Sequence, residues 1–213
     1  MSDFEGDKET QRTEAFSDGV FAIAITLLVL ELKVPHDLHG DALLHALGAQ
    51  WVTYFAFFVS FATIGVMWVN HHRLFNLIRR SDNAMLMFNL LLLLVVTVVP
   101  FPTSLLGEYL ASEDPSDARL ASVLYNLSGL SIAVCFNLLW RYAAKGGRLM
   151  GPDVDLEAVE RITKQFRWGP VMYVLSSTVA FFMPRTALLI DLSMVTFFAL
   201  PPPPLKKALS LKP

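Results

Sequence analysis

Apolar residues in this chain fall into long uninterrupted blocks, with most charged residues in the stretches between them. The first block runs from about Phe16 to Leu32 and is uncharged between Asp18 and Glu31; others cover Trp51–Val69, Ala84–Leu106 and Leu120–Trp140. Each is close to the ~20 residues that a helix needs to cross a bilayer. Trp168–Pro184 and Thr186–Leu200 are shorter, meet at Pro184-Arg185, and the second contains Asp191. Two thin or tilted helices are the first reading and a re-entrant hairpin the alternative; both return the chain to the same side. The pattern predicts an all-α polytopic membrane protein of six transmembrane helices, at about 16–33, 50–72, 84–106, 119–143, 167–184 and 186–200, in one domain over 1–213.

Composition removes the main alternative. The 213 residues are 54% apolar and 17% charged, whereas soluble domains average about 45–50% and about 25%, so charge is too scarce to coat a globular surface. A net charge of −2 leaves no basic stripe for nucleic acid. The single cysteine, Cys135, excludes an intrachain disulfide or a CxxC site and reads as an inert buried thiol. The opening MSDFEGDKETQR is polar and acidic, unlike the basic start of a signal peptide, so the first block is expected to stay in the mature protein.

Threading six spans puts all 17 Lys and Arg except Lys33, Arg119 and Arg185 on one side, including Lys8, Lys206, Lys207 and Lys212. Cytoplasmic loops collect positive residues, so both termini are expected in the cytoplasm. Between Arg141 and Arg167, LEAVERITKQF reads as a solvated connector helix, with a helix lying along the membrane surface as the alternative. The prolines Pro201–Pro204 stop the last helix.

On the first helix, at about 100° per residue, Ile23, Leu27 and Leu30 share a narrow stripe with Thr26 beside it, and Asp18 projects about 140° from Ile23. A carboxylate near the start of a spanning helix needs a partner. The second helix runs the other way and ends MWVNHHRLF, which brings Trp68, Asn70, His71, His72 and Arg73 to the level of Ser17 and Asp18. A polar knot is expected there, with Arg12 supplying charge. Metal ligation is disfavoured because adjacent histidines point about 100° apart on a helix, and the HExxH, GxSxG and phosphate-cradling motifs of enzymes are missing. Glu31 reads as a solvated helix end or as an attractor of cations to a mouth. Asp191 is expected at the exterior interface near Arg185, and His36, His39 and His45 as ordinary loop residues.

The pattern Arg12-x-x-x-Phe16-Ser17-Asp18, with Trp68-x-Asn70-His71-His72 closing the second helix, resembles the transmembrane protein 175 family of endosomal and lysosomal potassium channels and their prokaryotic relatives. The resemblance implies a potassium-permeable pore lined by the first helix of each subunit, with Ile23 as the tightest constriction, Leu27 and Leu30 as further layers, and Thr26 tied to potassium preference. It also implies a bracing network of Arg12, Phe16, Ser17, Asp18, Trp68, Asn70 and His71 or His72. A single FSD copy implies a single-repeat member of a prokaryotic plasma membrane. One stripe cannot enclose a pore, and the family precedent is a homotetramer in the lipid bilayer. No cofactor is expected beyond the permeant potassium ion, and no enzyme activity. With no TVGYG run, selectivity rests on steric and dewetting control at aliphatic rings. The alternative is a proton- or ion-coupled secondary transporter that uses Asp18 and His71 or His72 as a relay.

Overall fold

The structure, a computed structural model, describes residues 2–151 and 153–201, with side chains from residue 10 onward. Lys206, Lys207 and Lys212 lie outside the described residues, as do most of the terminal prolines and the side chain of Lys8. Among the described residues the regular elements are all helical: α1 (Ser2–Leu27, followed by a 3-10 turn over Leu28–Glu31), α2 (Asp41–Ala49), α3 (Trp51–Phe75), α4 (Asn83–Val98), α5 (Pro100–Tyr109), α6 (Pro115–Ala144), α7 (Leu156–Phe182) and α8 (Pro184–Ala199). Four of the described stretches are long and apolar enough to cross a membrane: Thr10–Glu31, Trp51–Phe75, Asn83–Tyr109 and Pro115–Gly147.

The boundaries follow local chemistry. Asp82, Asp114 and Asp155 sit at the N-caps of α4, α6 and α7, where their carboxylates accept the backbone N–H of Met85 (2.9 Å), Ser116 (2.8 Å) and Glu157 (2.9 Å). Each satisfies a donor that the first helical turn leaves open. The predicted helix at 84–106 is divided into α4 and α5, because Pro100 has no N–H to offer the Val96 carbonyl. Val99 N–H takes that carbonyl instead, at 3.2 Å.

Three expectations change. The first helix starts far before residue 16, since the polar opening continues the same helix. LEAVERITKQF is neither a separate connector nor a surface helix but the opening turns of α7, continuous through Pro170 into the apolar stretch predicted to begin at 167. The short α2 has no counterpart among the predicted helices: its DALLHALGA is too short for a span and lies in the loop between the first two.

α6 is the central element, packed on α4, α5, α7 and α8, most extensively on α7. Its face offers Ile132, Leu139 and Trp140 to a core shared with Phe21 and Ala24 of α1, Leu28 of the 3-10 turn that follows it, Ile64 of α3, Leu92 of α4 and Phe166 of α7. The close approach of α6 and α7 depends on Gly129, where an added Cβ would overlap the Tyr173 ring. Gly129→Ala should therefore cost about 2 kcal/mol by overpacking and lower the melting temperature of the purified protein by roughly 5 °C. An unchanged midpoint would show that the ring moves aside freely.

At one end of the bundle the α3–α4 and α6–α7 connections meet. Ile78 and Met150 form an isolated antiparallel bridge, and the Arg79 and Arg80 N–H groups donate to the Leu149 carbonyl at 2.9 and 3.1 Å. Asp82 accepts from the Tyr142 hydroxyl (2.7 Å) and pairs with Arg148 (3.3 Å). The Met85 N–H foremost, then these two partners, hold its carboxyl below the usual carboxylate range. At the other end Lys33 bridges to Glu108 at 2.9 Å, tying the segment after α1 to α5.

Candidate functional site

α1 has two unlike faces. Phe21, Ala24 and Leu28 are buried against the bundle, whereas Ile23, Leu27 and Leu30 are 60%, 41% and 71% exposed. Thr26 is exposed beside them, its hydroxyl donating to the Ala22 and Ile23 carbonyls, both at 2.9 Å. A hydroxyl that spends its hydrogen on its own helix presents its lone pairs outward. Leu30 belongs to the 3-10 turn rather than to α1 proper, so the stripe tightens at that end, where residues advance by about 120°. One side of the first helix is thus a column of large aliphatic groups that this chain leaves uncovered.

The opposite side is fastened by polar side chains. Trp68 Nε1 donates to Asp18 Oδ1 at 2.8 Å. A second chain of bonds is buried: His71 Nε2 lies 2.9 Å from Asn89 Oδ1, Asn89 Nδ2 donates to Ser17 Oγ at 2.9 Å, and Ser17 Oγ donates to the Thr13 carbonyl at 2.8 Å. Each donor direction fixes the next. Because the Asn89 amide nitrogen is used by Ser17, its oxygen must accept, and the imidazole proton sits on Nε2. His71 is held between Phe21 and Phe75, its ring centroid 4.3 Å from that of Phe75, while its Nδ1 is buried without a partner.

The motif residues therefore separate into three groups. Ser17, Asp18, Trp68 and His71 join α1 to α3 and α4. His72, pointing elsewhere, meets Glu14 at 2.6 Å. Asn70 donates to the Phe198 carbonyl (3.0 Å) and accepts from Arg73, which also reaches the Ala199 carbonyl (3.1 Å). This third group fastens the last turn of α8 to α3, where cationic side chains meet exposed carbonyls favourably. Neither histidine bonds to Asp18, and the partner of the carboxylate is Trp68. Among the described residues Asp18 makes no ion pair with Arg12. Arg12 is exposed, as is Phe16 at 57%, and both lie on the side of α1 that carries Ile23.

Asn89 and Glu14 belong to no motif in the sequence. Asn89 does leave a signal, as an amide in the apolar run MLMFNLLLLLVV; Glu14 looks like any charge on a polar segment. Asp191 is not at an interface beside Arg185 but 3% exposed inside the bundle. Cys135 is buried, and His36, His39 and His45 are exposed.

Residues 12–100 match the family described as endosomal/lysosomal potassium channel TMEM175. A potassium channel of Chamaesiphon minutus is 47% identical over 194 residues, covering 90% of this chain and 94% of the relative. The chain belongs to the TMEM175 family. A potassium channel of Streptomyces collinus is 46% identical over 173 residues, 81% of this chain and 83% of the relative. The crystal structure of a lysosomal potassium-selective TMEM175 homolog from Chamaesiphon minutus superposes with a TM-score of 0.80 at 45% identity, covering 90% of this chain and 97% of that one. This TMEM175 member is a membrane protein of an ion-channel family, not of an enzyme family.

In a TMEM175 fold built this way, the bond from Trp68 to Asp18 fixes the rotation of α1. Asp18→Ala should lower the yield of assembled oligomer severalfold while leaving the potassium-to-sodium ratio of the surviving channels unchanged. Normal assembly with altered selectivity would instead place Asp18 in the ion path.

Proposed function

We propose that the protein is a potassium-permeable cation channel of a prokaryotic plasma membrane, a homotetramer of six-span subunits with both termini in the cytoplasm. The observation that carries the reading is the uncovered stripe of Ile23, Leu27 and Leu30 on a helix whose other face is pinned by buried hydrogen bonds. Only 22% of the α1 span is buried within the subunit, against 50% of the α6 span, so α1 stands at the edge of the bundle, available to other copies. Four such edges around an axis enclose a path that one edge cannot.

In this arrangement a ring of Ile23 side chains offers no oxygen to replace the hydration shell of an ion. It controls passage by width and by how readily water leaves it. Thr26 supplies the nearest side-chain oxygens, its lone pairs free for a partly dehydrated potassium ion. Leu27 and Leu30 continue the narrow apolar stretch, and Glu31 at the end of the 3-10 turn adds negative field at the mouth.

The placement of Asp18 bears on the coupled-transporter reading. Its bond to Trp68, with the histidines turned to Asn89 and Glu14, gives it no direct proton donor or acceptor of the kind a relay uses. Purified protein in liposomes should release potassium down its gradient with no gradient of a second ion, and sodium and proton fluxes measured alongside give the preference. Potassium movement that occurs only with a coupled sodium or proton gradient would overturn the channel reading.

A further inference from the structure

The conduction reading makes no use of Asp191. This carboxylate reaches from α8 into the space between α6 and α7 and is 3% exposed. Ser176 Oγ donates to its Oδ1 at 2.8 Å, and Asn126 Nδ2 to its Oδ2 at 3.2 Å. Ser176 and Asn126 are themselves buried, at 0% and 1% exposure. Among the described residues Asp191 makes no ion pair. The titratable groups near enough to interact with its charge are Tyr125 and Tyr173, both without positive charge. A hydroxyl and an amide orient a carboxylate but do not neutralise it, and a buried charge without an opposite charge is costly.

A second observation comes from α6. Two oxygens one helical turn apart in sequence are buried and unpartnered, Asn126 Oδ1 and Ser122 Oγ. Ser122 stands one turn from Asn126 on the same helix face, and the Asn126 amide nitrogen is shared between the Ser122 carbonyl (3.1 Å) and Asp191 Oδ2 (3.2 Å). A buried carboxyl group and two unpartnered oxygens thus lie along one stretch of α6, with the Asn126 amide bonded to the carboxyl. Buried polar atoms are nearly always satisfied, and one bound cation would take lone pairs from the carboxylate, the amide oxygen and the hydroxyl together.

The donor set defines which kind. All ligands are oxygens, which suits hard cations rather than transition metals. There is a single negative charge, which a monovalent ion balances and a divalent ion would leave in excess. We propose that Asp191, Ser176, Asn126 and Ser122 of each subunit form a binding site for a small monovalent cation of the sodium type, inside the helical bundle and away from the stripe on α1. Occupancy joins α6, α7 and α8, and so stabilises the subunit rather than carrying current.

The test is thermal unfolding of the purified protein in detergent, titrated with sodium chloride against choline chloride at constant ionic strength. The midpoint should rise saturably with sodium, and Asp191→Asn should abolish the rise. Ser122→Ala should shift half-saturation to severalfold higher sodium with the fold retained. Ile23→Asn should leave the sodium response intact, which separates this site from the pore. Coincident sodium and choline curves for the unaltered protein would overturn the proposal. So would an unaltered sodium response in Asp191→Asn, or a midpoint that follows pH alone, which would assign the site to a proton. Should Asp191→Asn not yield folded protein, Ser122→Ala and Ser176→Ala decide it: unchanged half-saturation in both overturns the site.

Discussion

Ile23→Asn should raise potassium conductance by about an order of magnitude, equivalent to about 1.4 kcal/mol off the barrier to permeation, and should weaken discrimination against sodium. Ile23 is 60% exposed on the face of α1 that the subunit leaves uncovered, so the substitution disturbs none of the bundle core. A ring of amide groups holds water where a ring of branched aliphatic groups sheds it, so the ion no longer strips its shell without compensation. In the proposed homotetramer four copies multiply the effect of one substitution. Leu30→Asn, farther along in the 3-10 turn, should act in the same direction but less strongly, because the resemblance makes Ile23 the tightest layer. Currents measured in planar bilayers on protein shown to be assembled check both; equal currents for unaltered and Ile23→Asn channels would remove Ile23 from the constriction.

The second large effect concerns the buried chain from His71 through Asn89 to Ser17. Asn89→Ala leaves the His71 Nε2–H without its acceptor in a site of 0% exposure and removes the donor to Ser17. A stranded buried group costs about 1–3 kcal/mol, so the variant should lose most of its assembled protein and melt several degrees lower. The mechanism makes a further demand. Replacing every polar member by a group of similar shape, as Ser17→Ala, Asn89→Leu and His71→Phe together, strands nothing and should recover much of the lost stability, with the introduced phenyl ring lying between Phe21 and Phe75. Chromatographic yield and melting midpoint of the triple variant decide this. A triple variant worse than Asn89→Ala alone would mean that the polar chain does more than hold the helices.

What is legible in the sequence follows from which forces act locally. The four long spans are readable because bilayer crossing demands a length of apolar residues that no other feature imitates. The two faces of α1 are readable because helical periodicity alone separates Ile23 from Asp18. Partner identity is not: the sequence brings Asp18 to the level of two histidines, yet it meets Trp68, since which of four neighbouring side chains reaches a carboxylate depends on helix rotation and crossing. The same limit hides Asn89, whose importance comes from α4 lying beside both α1 and α3, a tertiary fact. An acid in a short apolar run looks like a helix end, which points Asp191 to an interface. Its interior position depends on Ser176 and Asn126 reaching it from two other helices, which the sequence does not reveal. The break at Pro100 and the extension of α7 back to Leu156 show the converse, that Pro chemistry and an Asp N-cap are legible when allowed to outweigh the hydropathy pattern.

A potassium path lined by the Ile23 face of α1 can be probed from within the pore. Its most direct measurement is potassium current through Ile23→Cys channels in a Cys135→Ser background, before and after a small charged thiol reagent. Cys135 is the single native cysteine and is buried, so the engineered thiol is the sole target. Current should fall sharply on modification and return on reduction, while a cysteine placed at an exposed position of α6 such as Leu138 should give no change. Rapid, complete modification of the thiol introduced by Ile23→Cys with undiminished current would contradict a path lined by that face.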